Sequence, residues 1–527
     1  MDSTPQSASP SPSALPRASR LVQLPGESGI EFDEIRRVLE DSGVVRREAK
    51  HELFTNRDLN FDRIRVVGFD MDYTLARYRQ SAIDKLTRKL TLEKLVEHGY
   101  PGPCVAAPLD RDFAIRGLTV DIELGNVTKM DRHGYVGRAY HGSRLLPPDE
   151  RKDVYRELRL GSDKSRFVYV DTLFELPEVA IYAGLVEFAD KEKAAGRDTM
   201  PSYAQIWRDV RNCVDEAHRD GTLKSVIVKD LPSYIDRDEE LPATLHKLRS
   251  GGKKMFLLTN SELEYTDVVM SYLLGSGEGN ERDWKSYFEQ IVVQAGKPGF
   301  FTAEAPLERV SAEEAGPSTK PHPGYFRGGN QAQLQEMFGC EPDEVLFIGD
   351  HIYADIVLSR KSSGWRTGLI VQELDRDLYV RRREALKIRD VTHQNQLRAE
   401  VSRQISSMKY MHSRLQRTVE RERQTPDGKR DEDVREVDRY RLECKRRLDS
   451  LRQYEAELDQ TLNRRDAEVE STFNRYWGSV FSARHDRSHF GNQVEFFACV
   501  YTSRVSNFLY VSPAEYFHSQ GGALPHF

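Results

Sequence analysis

The sequence predicts an α/β protein. A doubly wound parallel-sheet core carries a large inserted cap domain and, near the C-terminus, a long helical hairpin. Three observations support this. Five short, nearly continuous apolar runs, "IRVVGF", "KMFLLT", "EQIVVQ", "EVLFIGD" and "RTGLIVQ", read as strands buried on both faces, with helical stretches between most of them. More than 170 residues separate the first run from the second, too many for one crossover, so they form an insertion. From about residue 392 to 474, apolar residues recur at helical spacing among many charges.

Taken in chain order, residues 1–29 are dominated by Ser, Pro and Ala and read as a disordered tail. Residues 30–78 form the first part of the core, 79–250 the inserted cap, and 251–391 the second part of the core. In 392–474, Leu397, Val401, Ile405, Met408, Leu415 and Val419 define one apolar stripe, and Val437, Cys444, Leu448, Leu451, Leu458 and Leu462 a second. "TPDG", Thr425 to Gly428, breaks the pattern, so the segment is an antiparallel helical hairpin: a solvated arm, or one that binds a partner. Residues 475–527 are apolar enough to pack back on the core.

Composition narrows the function. The 527 residues carry a net charge of -6, so no overall basic field draws nucleic acid or an anionic membrane, and neither is expected as a partner. The five cysteines show no CxxC spacing, which argues against a disulfide framework and a structural zinc site. No apolar stretch approaches the ~18 residues of a membrane span, and the first residues lack a signal-peptide pattern. A cytoplasmic location is expected.

The polar residues of interest lie at strand ends, where ligands sit in an open parallel sheet. Asp70 follows "VVGF" directly and Asp72 comes two residues later. Two acids this close stay ionised together only around a cation, or one keeps its proton. After the second strand, Thr259, Asn260 and Ser261 offer donors to an anion at a helix start. After the third, Lys297 in "QAGKPGFF" supplies a fixed positive charge. After the fourth, "GDHIYAD" supplies Asp350 and Asp355, a pair suited to Mg²⁺, which prefers carboxylate and water oxygens. Each of the four alone has an ordinary reading: a loop, a helix cap, a surface lysine, a turn.

In this order the four resemble the motifs of the haloacid dehalogenase superfamily, implying a HAD-like core. "GFDMDYTLARY", "LTNSELEYTD", "GKPGFF" and "FIGDHIYADIVLSRKSSGWRT" resemble its cytosolic purine 5'-nucleotidase family, over about Leu53 to Phe508. The resemblance implies that Asp70 is a nucleophile forming an aspartyl-phosphate, and Asp72 the acid and then the base. Thr259, with Asn260 and Ser261, would hold the phosphoryl group, and Lys297 would balance its charge. Mg²⁺ would be held by Asp70, Asp350 and the carbonyl of Asp72, with Asp355 supporting that shell. "WRDVRNCVDEAHRDGTLK" resembles the segment that reads base and ribose phosphate, through Arg211, Asp215, His218 and Lys224, and Phe174 matches the aromatic that stacks on the base. Arg211, Asp215 and His218 share a helix face; an Arg211–Asp215 ion pair and a core position for Phe174 are the plainer readings. Arg219 departs from the family, which often has an aromatic there. The nucleotide-activation site of the animal enzymes is matched only in part, by Tyr353 and Lys361, with Asp171 replacing an Asn.

The expected activity is therefore Mg²⁺-dependent hydrolysis of purine nucleoside monophosphates such as IMP or GMP, with phosphoryl transfer to a nucleoside as a second outcome. The resemblance also implies a homo-oligomer. The alternatives are a HAD phosphatase acting on another phosphomonoester, and a catalytically weak scaffold that works through the hairpin.

Overall fold

A nine-stranded sheet organises the protein. A computed structural model describes residues 51–527, except 107–109, 111, 159–162, 198, 276–282, 312–321, 323, 425–430, 485, 520 and 522–523. The N-terminal tail, the start of the first core segment and the "TPDG" break lie outside the described residues.

In chain order the strands of this sheet are Phe54–Thr55 (β1), Val66–Phe69 (β2), Lys254–Leu258 (β3), Gln290–Val293 (β4), Leu307–Arg309 (β5), Tyr325–Gly328 (β6), Val345–Gly349 (β7), Arg366–Ile370 (β8) and Val500–Thr502 (β9). Their spatial order is β1-β9-β8-β7-β2-β3-β4-β6-β5. All pairings are parallel except the two outermost, β1 with β9 and β5 with β6. From β2 the chain builds outward through β3 and β4, then returns to β7 on the opposite side. The carboxyl end of β2 is thus the topological switch point.

The strands are apolar throughout because both faces are covered. Val67, Phe69, Met255, Leu257 and Ile348 pack into the larger core, while Val66, Phe256, Phe347 and Trp365 pack into a second on the other face. Gly68 is required by this layering, since a Cβ there would fall within the Phe256 ring. The five apolar runs become β2, β3, β4, β7 and β8, side by side in the sheet. Sequence reading did not assign β6 or the edge strands. It placed the C-terminal segment against the core without seeing that "VYT" inserts as β9, parallel to β8.

The insertion leaves and rejoins the core at a neck, where Arg77–Tyr78 pairs antiparallel with Ile235–Asp236. Within it a five-stranded antiparallel sheet, Leu118–Asp121, Asn126–Met130, Val136–His141, Arg144–Leu145 and Phe167–Val170, accompanies helices Gln80–Glu97 (α1), Leu176–Ala194 (α2) and Tyr203–Arg219 (α3). In α3, Ile206, Val210, Cys213, Val214 and Ala217 are buried, which turns Arg211, Asp215 and His218 away from that core face. Leu263–Leu274 (α4) follows β3.

Asp84 on α1 is a half-buried acid outside the strand-end motifs. Gln80 donates to it at 2.7 Å, and burial pushes its carboxyl up to about 7. Its folded value lies above that of an unfolded Asp, so its unfavourable contribution is absent below about pH 4 and complete above pH 7. Asp84→Asn should therefore raise thermal stability at pH 8 by on the order of 1–2 kcal/mol, allowing for partial solvent screening, and lose that gain at pH 4. Melting temperatures at the two pH values measure this.

The hairpin consists of Ala385–Arg423 (α5) and Asp431–Phe473 (α6). It begins before Thr392, the expected start, because Ile388 and Val391 continue the apolar spacing backward and pack with Leu462 and Val469. Val401, Ile405 and Leu448 form a second cluster, and Cys444 lies against Met408. Leu397 is 41% exposed and falls outside the seam, contrary to the sequence pattern. Among the described residues, no helix is long and apolar enough to cross a membrane.

Candidate active site

Asp70 leaves β2 with its N–H still donating to the Ile348 carbonyl at 2.8 Å, so the neighbouring strand fixes its backbone while its carboxyl projects at the switch point. The chain then turns sharply. Ala76 N–H donates to Met71 O at 2.8 Å, and Tyr73 adopts a left-handed φ of 57°. For a bulky residue that conformation costs roughly 1–2 kcal/mol, which places strain in the loop that carries both acids. Gln372 braces it by donating to the Tyr73 carbonyl at 3.3 Å.

Lys297 reaches the same point from the loop after β4. Its Nζ lies 2.8 Å from Asp70 Oδ1 and 2.8 Å from Asp355 Oδ1. Asn260 clamps this loop in both directions: Lys297 N–H donates to Asn260 Oδ1 at 2.7 Å, and Asn260 Nδ2 donates to Lys297 O at 2.9 Å. Asp355 also accepts from the His351 N–H at 3.2 Å. Its side chain fits against the end of β7 because residue 349 is glycine, where a Cβ would collide with the Asp355 carboxyl.

Carboxylate oxygens of Asp70, Asp350 and Asp355 lie within 4.8 Å of one another, and the three residues are only 7%, 3% and 1% exposed. Among the described residues, one ammonium pairs with two of these three acids. Burial first, then Asp355 and Asp72, push the Asp70 carboxyl up to about 7 against the pull of Lys297. Burial with Asp355 and Asp70 raises Asp350 well above the usual range. Burial alone would lower Lys297, but Asp355 and Asp70 outweigh it and hold the ammonium charged. The two directions agree physically: the lysine is over-supplied with acids, and the acids are under-supplied with cations.

Arg116, fully buried, completes the base of the site. It donates to the Asp350 carbonyl at 2.9 Å and pairs through Nε and Nη2 with Glu373. Sequence reading missed it, because it lies in the insertion far from every motif.

Asp72 lies outside the acid cluster. Its Oδ1 accepts from Tyr78 OH at 2.7 Å and its Oδ2 from Ser261 Oγ at 2.8 Å, and Tyr78 OH is 2.8 Å from Tyr265 OH on α4. Both carboxylate oxygens of Asp72 are thus engaged by hydroxyls. Thr259 is fully buried, with its Oγ1 accepting from the Ser261 N–H at 3.1 Å, so its hydroxyl proton stays available to a ligand. The side chains of Asn260 and Ser261 thus hold Lys297 and Asp72 here.

The residues expected to read the base converge on the same region. The Phe174 ring lies edge-on to Tyr73 at 4.6 Å, to Tyr78 at 6.1 Å and to His218 at 6.2 Å. Burial first, then Lys224, lower the pKa of His218. Arg211 pairs with Glu175 at 2.9 Å and Glu178 at 3.0 Å, while Asp215 is 3.8 Å away. The Arg211–Asp215 pair read from helix spacing is the weakest of the three, because spacing along one helix cannot see the acids of α2 and the turn before it. Lys224 pairs with Glu262 and sits 5.0 Å over the Tyr265 ring.

The model of the 5' nucleotidase family matches residues 53–527. The chain belongs to the 5'-nucleotidase family. It is 31% identical over 382 residues to a 5'-nucleotidase domain-containing protein of Dictyostelium discoideum, covering 69% of this chain and 62% of that protein. To 5'-nucleotidase domain-containing protein 2 of Rattus norvegicus it is 30% identical over 346 residues, covering 62% of this chain and 60% of that protein. The alignments thus span about three fifths of each relative. Among solved structures it resembles a predicted phosphoglycolate phosphatase from Haemophilus somnus at 13% identity and a TM-score of 0.26, over 59% of this chain and 86% of that one. That likeness is too slight to bear on the site.

The acid cluster fits a small hard divalent cation. All its donors are oxygens, Asp350 Oδ2 is buried without a hydrogen-bond partner among the described residues, and one lysine leaves two negative charges unbalanced.

Proposed function

We propose that the protein is a Mg²⁺-dependent phosphomonoesterase that hydrolyses purine nucleoside 5'-monophosphates through an aspartyl-phosphate on Asp70. The observation that carries this is the pairing of Asp70 with Lys297 inside a buried acid cluster, beside a separate carboxyl, Asp72, held by two hydroxyls. Asp70, Asp350 and the Asp72 carbonyl would hold the metal, with Asp355 supporting them. When bound, it supplies positive charge to the phosphoryl oxygens.

Asp70 Oδ attacks phosphorus in line and the ester oxygen departs with a proton from Asp72. Thr259 Oγ1 and Lys297 Nζ steady the phosphoryl oxygens. Water then attacks the acyl phosphate, giving its proton to Asp72 and freeing Asp70 as carboxylate. Splitting the roles suits the environments: Asp70 lies beside an ammonium, whereas Asp72 is partly exposed and held by two hydroxyls. Phe174 would stack on the base, with His218, Arg211, Asp215 and Lys224 around base and ribose phosphate.

Phosphate release from a panel of nucleoside monophosphates, with and without Mg²⁺, tests the reading. Release from IMP or GMP that disappears with chelator is the expected result. Release from other phosphomonoesters alone would keep the catalytic core and discard the nucleotide. No release from folded protein would leave the hairpin scaffold as the better account.

A further inference from the structure

We propose that Tyr78 is a positioning residue for the Asp72 carboxyl, backed by Tyr265 and opposed by Ser261, so that the proton needed by a poor leaving group depends on the Tyr78 hydroxyl. The inference rests on the role given to Asp72 above and adds the residue that aims it.

Asp72 sits on a loop, two residues past Asp70 and partly exposed, where a carboxyl has several rotamers open to it. Its two oxygens are caught from two separate elements. Tyr78 comes from the neck of the insertion and Ser261 from the loop after β3, at 2.7 and 2.8 Å, which fixes both the direction and the plane of the carboxyl. Tyr78 is itself held on three sides. Its ring lies 5.0 Å from Tyr73 and 6.1 Å from Phe174, its hydroxyl is 2.8 Å from Tyr265 OH, and its backbone pairs with Ile235 where the insertion returns to the core. A buried hydroxyl keeps a partner, and this one has an acid on one side and a phenol on the other. With Asp72 ionised, Tyr78 donates to it and Tyr265 is free to donate to Tyr78, giving a directed hydroxyl chain that ends on the acid.

The chemistry makes this orientation selective. In the first step the P–O ester bond breaks while the Asp72 O–H bond breaks and its proton forms a new O–H bond on the nucleoside 5' oxygen. In the second, a water O–H bond breaks toward Asp72 as its oxygen bonds phosphorus and the Asp70–phosphorus bond breaks. Only the first step depends on the leaving group. A nucleoside alkoxide is a poor leaving group and requires the proton, whereas a thiolate departs without it. A carboxyl that drifts off line therefore slows the oxygen ester and spares the sulfur ester.

The test uses the full chain with Mg²⁺ and compares kcat/KM for GMP with that for its 5'-bridging phosphorothiolate, in which sulfur replaces the ester oxygen. Tyr78→Phe keeps the ring and removes only the hydroxyl. It should lose at least about tenfold more on GMP than on the thiolate ester, and Tyr265→Phe should shift the same ratio in the same direction by less. The ratio does not depend on how much of the variant folds, and Tyr265→Phe reads the chain if Tyr78→Phe fails to fold. Equal losses on the two esters, or no loss, overturn the positioning role. If the wild-type protein hydrolyses no nucleoside monophosphate, the proposed function falls and the inference with it; if the wild type is active and the ratio stays fixed, the inference alone falls.

Discussion

Asp70→Asn should release no measurable phosphate and yet melt at a higher temperature than the wild type when metal is chelated. The loss of activity follows from the chemistry, since an amide oxygen cannot form the acyl phosphate, and removal of a covalent nucleophile lowers kcat on the order of 10⁴-fold or more. The gain in stability follows from a balance of magnitudes. At an effective dielectric of about 20, attraction to Lys297 at 2.8 Å contributes about 6 kcal/mol, and repulsion from two acids no more than 4.8 Å away at least about 7 kcal/mol. These nearly cancel, so the desolvation of a buried carboxylate decides the sign, and it opposes folding. Asn removes the charge and still offers an oxygen to Lys297. The expected gain is about 1–3 kcal/mol in EDTA, and it should shrink as Mg²⁺ is added, because the wild type binds the ion more tightly. Calorimetry in EDTA and across a Mg²⁺ titration measures both parts. A variant that is inactive and less stable in EDTA would mean that Asp70 belongs to a structural ion pair.

The strand-end arrangement was legible in the sequence because its residues sit at fixed points of a periodic pattern. Apolar runs long enough for one strand, followed by Asp70, Thr259, Lys297 or Asp350 at or just past their ends, place those residues at the carboxyl end of a parallel sheet without further knowledge of the fold. What was hidden depends on contacts between distant segments. Arg116 has no motif around it, and its partners, the Asp350 carbonyl and Glu373, lie more than 200 residues away. Tyr78 was in view within "DMDYTLARY", yet nothing local says that its hydroxyl turns back to Asp72. The acids that hold Arg211 were likewise in view in "LFELPE", and only packing of α2 against α3 brings them together. Helix spacing favoured Asp215 because spacing is blind to neighbouring helices. The hairpin boundary failed for a milder reason: its first apolar residues pack against the far end of α6, so the pattern begins where the partner helix ends.

Lys297→Met tests the other half of the same balance. Methionine fills the volume of the lysine stem while removing the single ammonium that faces Asp70 and Asp355. Removing one member of a buried ion pair costs about 3–5 kcal/mol, because the charge left behind is desolvated and unpaired. Here two carboxylates, Asp70 and Asp355, lose their partner. The variant should therefore melt several degrees below the wild type in EDTA at pH 8. The pH dependence has a definite sign. Burial has already raised Asp70 to about 7 and Asp350 well above its ordinary value, so the destabilisation is absent below about pH 4 and grows as pH rises through the folded values. Loss of the ammonium lifts those values further, and the difference in melting temperature between variant and wild type should be small at pH 5 and large at pH 8. Mg²⁺ should recover much of the loss at pH 8, since binding at about 100 times Kd adds roughly 2.7 kcal/mol to the folded state. Activity should stay low even then, because in the reaction as proposed Lys297 Nζ itself steadies the phosphoryl oxygens. A variant rescued by Mg²⁺ in both stability and turnover would reduce Lys297 to a stand-in for the metal; one rescued in stability alone would separate its structural charge from its role at phosphorus.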